Sequence, residues 1–569
     1  MSQFTFRTEN PGSQYVQIEA RFKASSDQLK IHLPAWRPGR YELGNFAKFV
    51  RNFRVSNGEG KALDFSKTSK DAWQVDTKGS SEVVVNYNFY AATINAGSTF
   101  FDANQLYVNP VNCCVYTEEQ FNDRVEVNLE IPADWQVATA MTQEDDVWFV
   151  DSFDKLFDSP FIASNSLQVQ SYESFGTMFH VWFNGVVKPD WDRVMKDFQA
   201  FTDAQIAKFT EFPVKEYHYI NLILPYKAYH GVEHQKSTVI ALGPSYEIFG
   251  DLYKELLGVS SHELYHTWNV KAIRPIEMYP YDFSKENYSR LGYICEGVTT
   301  YQGDLFLAKS KVFNDQQYFD ELNIQLQRHF DNAGRFHYSL GDSSFDTWLD
   351  GYELGAPGRK VSIYTEGCLL AFVADTMILR ATNEKYGLDE VMKRLYFNYS
   401  LEGKGVSEDD YKSMLENVSG ISFDEYFDNY INGTSPYESI IVEALEYLGL
   451  DLDHVPSKEY CEGRLGMKVT ASGKNFKIHA MYPGGPAETG GLMLGDEIIC
   501  INNIACNGEL NKWLQYFDDE IKKINVIREG QIVSCQMPEV NRNFYMKYSV
   551  KKQKNPNGLQ QKAFKAWLS

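Results

Sequence analysis

The stretch "SSHELYHTWNVKAIRP", Ser260–Pro275, decides how this chain is read. It holds His262, Glu263 and His266. Just upstream, Phe249, Leu252, Tyr253, Leu256 and Leu257 recur at helical spacing, and Pro275 ends the segment. Residues four apart share one helix face, so both imidazoles can meet one metal ion. In this H-E-x-x-H pattern the histidines hold zinc, and Glu263 takes a proton from the attacking water. A catalytic zinc site needs a third protein ligand and keeps one position open.

A second pattern, "HGVEH" from His230 to His234, has the inverted order H-x-x-E-H. It lies between the apolar runs "INLILPYKAYH" and "STVIAL", which predict strands. On a strand, ends four residues apart are separated by ~13 Å, too far to share an ion. The third ligand is therefore sought downstream. Glu296 in "NYSRLGYICEGVTTYQGDLFLAKS" sits among small and apolar residues at the start of a predicted helix. A buried unpaired carboxylate is costly, and a metal would explain it. Asp282 and Glu286 are nearer, but "YPYDFSKENYSR" reads as an exposed loop.

The 569 residues imply several domains. A formal charge of −21 and a pI near 5.1 argue against nucleic acid or an anionic membrane as partner. No apolar run is long enough to span a bilayer, and the N-terminus lacks a signal-peptide pattern, so the cytoplasm is favoured, with the periplasm or secretion left open for a chain whose signal has been removed. The eight cysteines show no framework spacing and no C-x-x-C pair, which predicts buried thiols.

Residues 1–165 read as an all-β, sandwich-like domain, with "QYVQIEARF", "LKIHLPAW", "SEVVVNYNFYA" and "DRVEVNLEI" as strands. Residues 166–450 mix strands such as "EYHYINLILPY" with helices such as "WDRVMKDFQAFTDAQIAKF", then turn mostly helical. The stretch "RLGMKVTASGKNFKIHAMYPGGPAETGGLMLGDEIICINNIACN" predicts a PDZ domain over 458–545. Such domains bind extended peptides at a sheet edge, here with a carboxylate loop at Leu465–Met467, so a peptide C-terminus is a possible partner. Residues 546–569 are left as a C-terminal tail.

H-E-x-x-H followed by E-G-x-T-x-Y resembles the gluzincin metallopeptidases. Within them the chain is similar to the glycyl aminopeptidase family with a C-terminal PDZ domain. The stretches "LPAWRPGRYEL", "GVEHQKST", "HELYHTWNVKAIRP", "EGVTTYQGD", "GAPGRKVSIYTEG" and "YINGTSPYE" carry the likeness over almost the whole chain. The resemblance implies a multidomain α+β protein with a thermolysin-like α/β catalytic domain. It implies one Zn²⁺ on His262, His266 and Glu296, and release of small first residues such as Gly and Ala from peptides with a free N-terminus. It also implies that Glu233 holds the substrate amine and that Tyr364 donates to the oxyanion, although Glu366 stands where relatives have lysine. Tyr301 is offered as a partner behind the metal, and Cys295 and Cys368 receive no role. Two competing functions are a metalloendopeptidase with the same site and a PDZ scaffold with a vestigial one.

Overall fold

The computed structural model describes residues 1–353 and 355–569. The four N-terminal segments with alternating apolar residues all form strands, Tyr15–Lys23, Gln28–His32, Glu82–Tyr90 and Val125–Glu130. Their apolar side chains face one interior, as a period of two requires. A seven-stranded sheet, in which Ser2–Arg7 lies parallel to Val125–Glu130, packs with sheets of three and four strands around a common core.

The next body is built on a five-stranded sheet. Its order runs Gln168–Ser174, Thr177–Asn184, Glu216–Ile223, Ser237–Gly243 and, at the edge, Ala228–Glu233. The three central strands are parallel, and the edge strand returns antiparallel. Helices Trp191–Phe209 and Tyr253–Tyr265 cover one face, with Phe209 stacked on Trp268 at 4.4 Å between ring centroids. Beyond them the chain is helical through Glu438–Tyr447.

Two helical segments approach closely because both carry glycine at the crossing. A Cβ on Gly297 would lie 2.3 Å from the Gly367 Cα, which real structures do not permit. This contact brings the turn bearing Glu296 against the start of helix Ile363–Ala381, which bears Tyr364. The turn itself is not the regular helix expected there: Tyr293–Val298 is π-helical before Thr299–Lys309 continues as α-helix.

Three other expectations are corrected. The segment around Asp282 is no exposed loop, because Tyr281 and Phe283 plug the N-terminal core. Trp36 donates its indole N–H to the Asp282 carbonyl at 2.7 Å, and the Ala35 amide donates to Phe283 at 2.8 Å. Residues 546–569 are no loose tail: Met546–Lys552 pairs with Leu450–Pro456, and helix Gly558–Trp567 buries Ala563 and Trp567 in the core that the five-stranded sheet shares with the helices. Tyr301 is spent on this docking, its hydroxyl bonded to Asp375 and to the Trp567 indole.

Between the two paired strands sits a smaller unit with its own core. Its antiparallel sheet runs Met467–Ser472, Asn475–Met481, Glu497–Ile501, Lys523–Arg528 and Gln531–Gln536, with helices Pro486–Thr489 and Leu510–Tyr516. In the Leu465–Met467 loop the Gly466 N–H donates to the Glu462 carbonyl at 3.2 Å, and the Phe544 ring rests on Gly466. All eight cysteines are free thiols, seven of them buried.

Candidate metal centre and substrate site

His262 and His266 project from the last turn of helix Tyr253–Tyr265 and its C-terminal cap. Their Nε2 atoms are 3.0 Å apart, and Glu296 Oε2 lies 3.7 Å from the first and 3.4 Å from the second. Zinc bonds of about 2.0–2.1 Å in a tetrahedron set ligand atoms roughly 3.3–3.4 Å apart, which these three edges bracket. Two imidazoles and one carboxylate also form a donor set suited to zinc. The residues present therefore fit the ion.

What aims the second imidazole is Asn269. His266 Nδ1 donates to the Asn269 carbonyl at 2.9 Å, which leaves Nε2 for a metal. The Asn269 amide in turn donates to the Ile294 carbonyl at 2.8 Å and to Thr299 Oγ1 at 2.9 Å. One buried side chain thus ties the histidine to the turn that carries Glu296. Lys271 anchors the same loop to the N-terminal domain through a 2.7 Å ion pair with Asp158, which also bonds His234 at 3.1 Å.

The charges are those of a site awaiting a cation. Burial works against ionised Glu296, yet the two histidines more than offset it and hold the carboxyl at about 2. His266 rises to about 10 despite its burial, because Glu296, Glu233 and Glu263 surround it. Burial lowers His262, and Glu296 opposes that shift.

Glu263 faces the edge strand at Gly231, where a Cβ would lie 2.1 Å from its Oε1. Burial pushes this carboxyl well above the usual range, and Glu233 and Glu296 add to the effect. Glu233 lies two residues along the same strand face. Ligand atoms of Glu233, Glu263 and His266 fall within 4.8 Å of one another. Glu233 Oε1 and Glu263 Oε2 are buried without a hydrogen-bond partner among the described residues. The "HGVEH" segment is thus a strand, as its flanks predict. Tyr364 is half-buried beside the same charges, and its desolvation, then Glu296, drives its hydroxyl well above the ordinary range. Glu366, two residues on, is turned away and accepts from His329 Nδ1 at 2.6 Å.

Sequence reading missed three residues that the fold delivers here. Arg37 and Tyr41 come from the N-terminal domain, and Tyr352 from the segment before helix Ile363–Ala381. The fields of Glu233 and Glu296 act on Tyr41 and Tyr352, and that of Glu233 acts on Arg37. The only signal for Arg37 and Tyr41 was the stretch "LPAWRPGRYEL", which suggested no chemistry by itself, and Tyr352 lay in no stretch singled out.

A separate trio, His180, Glu216 and His218, also has ligand atoms within 4.8 Å of one another. It lies on the sheet face away from the helices. Trp182 donates its indole N–H to His218 Nδ1 at 3.1 Å.

Residues 3–165 match the Peptidase M61 N-terminal domain, and residues 255–370 match the M61 glycyl aminopeptidase domain. A crystal structure of an aminopeptidase N family protein from Idiomarina loihiensis is similar over 100% of both chains, at 24% identity and a TM-score of 0.91. An M1 zinc metallopeptidase from Deinococcus radiodurans, solved with a Tyr-Ser-Ala substrate, is more distant: 12% identity, TM-score 0.47, covering 76% of this chain and 94% of that one. No curated protein matches the chain.

Proposed function

We propose that this protein is a zinc aminopeptidase that removes the first residue from peptides with a free N-terminus. The observation that carries the reading is the unpartnered, buried Glu233 carboxylate beside Glu263 and His266. A carboxylate placed there pairs with an α-ammonium and sets how far a peptide enters, so only its first bond reaches the cluster. The two M61 matches support the same activity. His262, His266 and Glu296 would hold the ion. When bound, zinc would supply Lewis acidity toward the scissile carbonyl and toward the attacking water.

The chain's own groups do the rest. Glu263, its proton affinity raised by burial, takes a proton from the attacking water and passes it to the leaving nitrogen. Tyr364, kept protonated by its surroundings, donates its hydroxyl to the oxygen that gains negative charge. A first residue of Gly or Ala is the preference that the resemblance to glycyl aminopeptidases implies. The C-terminal unit is read as a PDZ domain. Its loop amide at Gly466 is already used within the chain, which favours a packing role over capture of a peptide C-terminus.

Zinc-loaded protein is expected to hydrolyse alanyl-arylamide in a chelator-sensitive way and to leave N-acetylated peptides intact. Glu263→Gln should lower turnover by about 10²–10⁴-fold while zinc content stays at one per chain. Efficient cleavage of blocked peptides would convert the assignment to an endopeptidase. Inactivity despite full zinc loading would leave only a peptide-binding scaffold.

A further inference from the structure

A cavity of about 370 Å³ lies in the N-terminal domain, bounded by the loop through Arg37 and Arg40 and by residues 92–99. Its wall carries three cations, Arg37, Arg40 and Lys48, against one carboxylate, Glu42. Glu42 is already paired with Arg40. Arg37 is only 5% exposed and forms no ion pair among the described residues. Its guanidinium makes one hydrogen bond among the described residues, from Nη1 to the Pro38 carbonyl at 3.2 Å. A guanidinium removed from water with no carboxylate upon it is an expensive arrangement.

The loop that carries Arg37 and Arg40 into the cavity wall also reaches Glu233. A Cβ on Gly39 would lie 2.5 Å from Glu233 Oε2, so that carboxylate rests directly on the loop. Two residues earlier, the same loop turns the Arg37 guanidinium onto Gly97, where a Cβ would lie 2.2 Å from Nη2. Glycine at both places lets an amine receptor and a carboxylate receptor stand on one short segment. Glu233 exerts the largest favourable field on Arg37, which confirms their nearness without pairing them.

We propose that this cavity is a subsite for a carboxylate carried by the peptide whose amine Glu233 holds. The inference rests on the peptidase reading and narrows its substrate class to anionic peptides. Arg37 supplies the charge and planar fork of donors, and Arg40 and Lys48 add long-range attraction. The carboxylate has two possible sources: the C-terminus of a very short peptide, or the side chain of an acidic first residue. The volume exceeds what a glycine or alanine side chain fills, so with a small first residue the C-terminus is the occupant.

The test compares kcat/KM of the zinc-loaded full chain for matched substrates. Alanyl-alanine against alanyl-alaninamide reads the C-terminal source, and glutamyl-arylamide against alanyl-arylamide reads the side-chain source. One carboxylate-bearing member is expected to exceed its neutral counterpart by about tenfold or more. Arg37→Gln should erase that ratio, and Arg37→Lys should restore part of it. Equal rates within both pairs in the unsubstituted chain overturn the subsite, whatever the variants do. So does an Arg37→Gln variant that slows charged and neutral substrates alike, since Arg37 then acts only through Glu233. If alanyl-arylamide is cleaved without any carboxylate preference, the subsite alone falls. If no peptide is cleaved, the peptidase reading falls and takes the subsite with it.

Discussion

Two places in this chain bring two histidines and a glutamate within reach of one ion, and only one of them is aimed at it. At the first, His266 Nδ1 donates to the Asn269 carbonyl, so the Nε2 lone pair points at Glu296 and His262. At the second, an indole N–H, which can only donate, occupies His218 Nδ1. The neutral His218 ring therefore carries its proton on Nε2, facing Glu216 at 3.6 Å. That nitrogen is a donor and no ligand. The donor set is the same in both; the atom behind the imidazole decides which one can take a metal.

The largest effect that separates the two clusters is metal content. His266→Ala or Glu296→Gln is expected to cost the bound zinc, as metal analysis of purified protein reads, and arylamide hydrolysis with it. The double variant His180→Ala with His218→Ala should keep one zinc per chain and its activity. Loss of zinc from the double variant, or its retention in both single ones, would reverse the comparison.

A subtler change tests the carbonyl and amide behind His266. Asn269→Ala keeps the backbone acceptor but removes the side chain that holds the Glu296 turn at 2.8 Å. Zinc affinity, measured by chelator competition, should weaken by about 10–100-fold. An unchanged affinity would mean that the Gly297–Gly367 contact alone fixes the turn.

These two clusters also mark the boundary of what the sequence discloses. His262, Glu263 and His266 are legible because a helix of period 3.6 sets them on one face, and nothing distant is needed. Glu296 is legible through its unusual setting, while the π-helical turn that presents it depends on packing against Gly367 and leaves no local pattern. Glu233 sits in a rival motif that its strand flanks exclude, and its role at the substrate amine comes through the family resemblance alone. The arrival of Arg37 and Tyr41 from some two hundred residues upstream is a matter of domain docking, in which the misread loop at Tyr281 and Phe283 is the plug. The His180 and His218 pairing across parallel strands is equally invisible, since it rests on a register. The return of residues 546–569 to the catalytic core was missed for the same reason, because Trp567 finds its partners only after the helices assemble.

The smallest expected effect concerns protons at the outer cluster. Burial, then His180 and Lys236, lowers His218 from its ordinary value to about 3. Between that value and the unfolded 6.5 the unfolded chain binds a proton that the folded chain refuses. Stability contributed by this residue is therefore full above the window and declines as pH falls through it, at up to about 1.4 kcal/mol per pH unit. His218→Gln removes the titration while leaving an acceptor for the Trp182 indole. The thermal midpoint of the variant should fall less steeply than that of the parent between about pH 6.5 and pH 4. His230, also lowered to about 3 by burial and by Arg37, is present in both proteins and cancels in the difference. Parallel slopes would show that His218 does not stay neutral, and with it would go the tautomer that keeps metal away from the outer face.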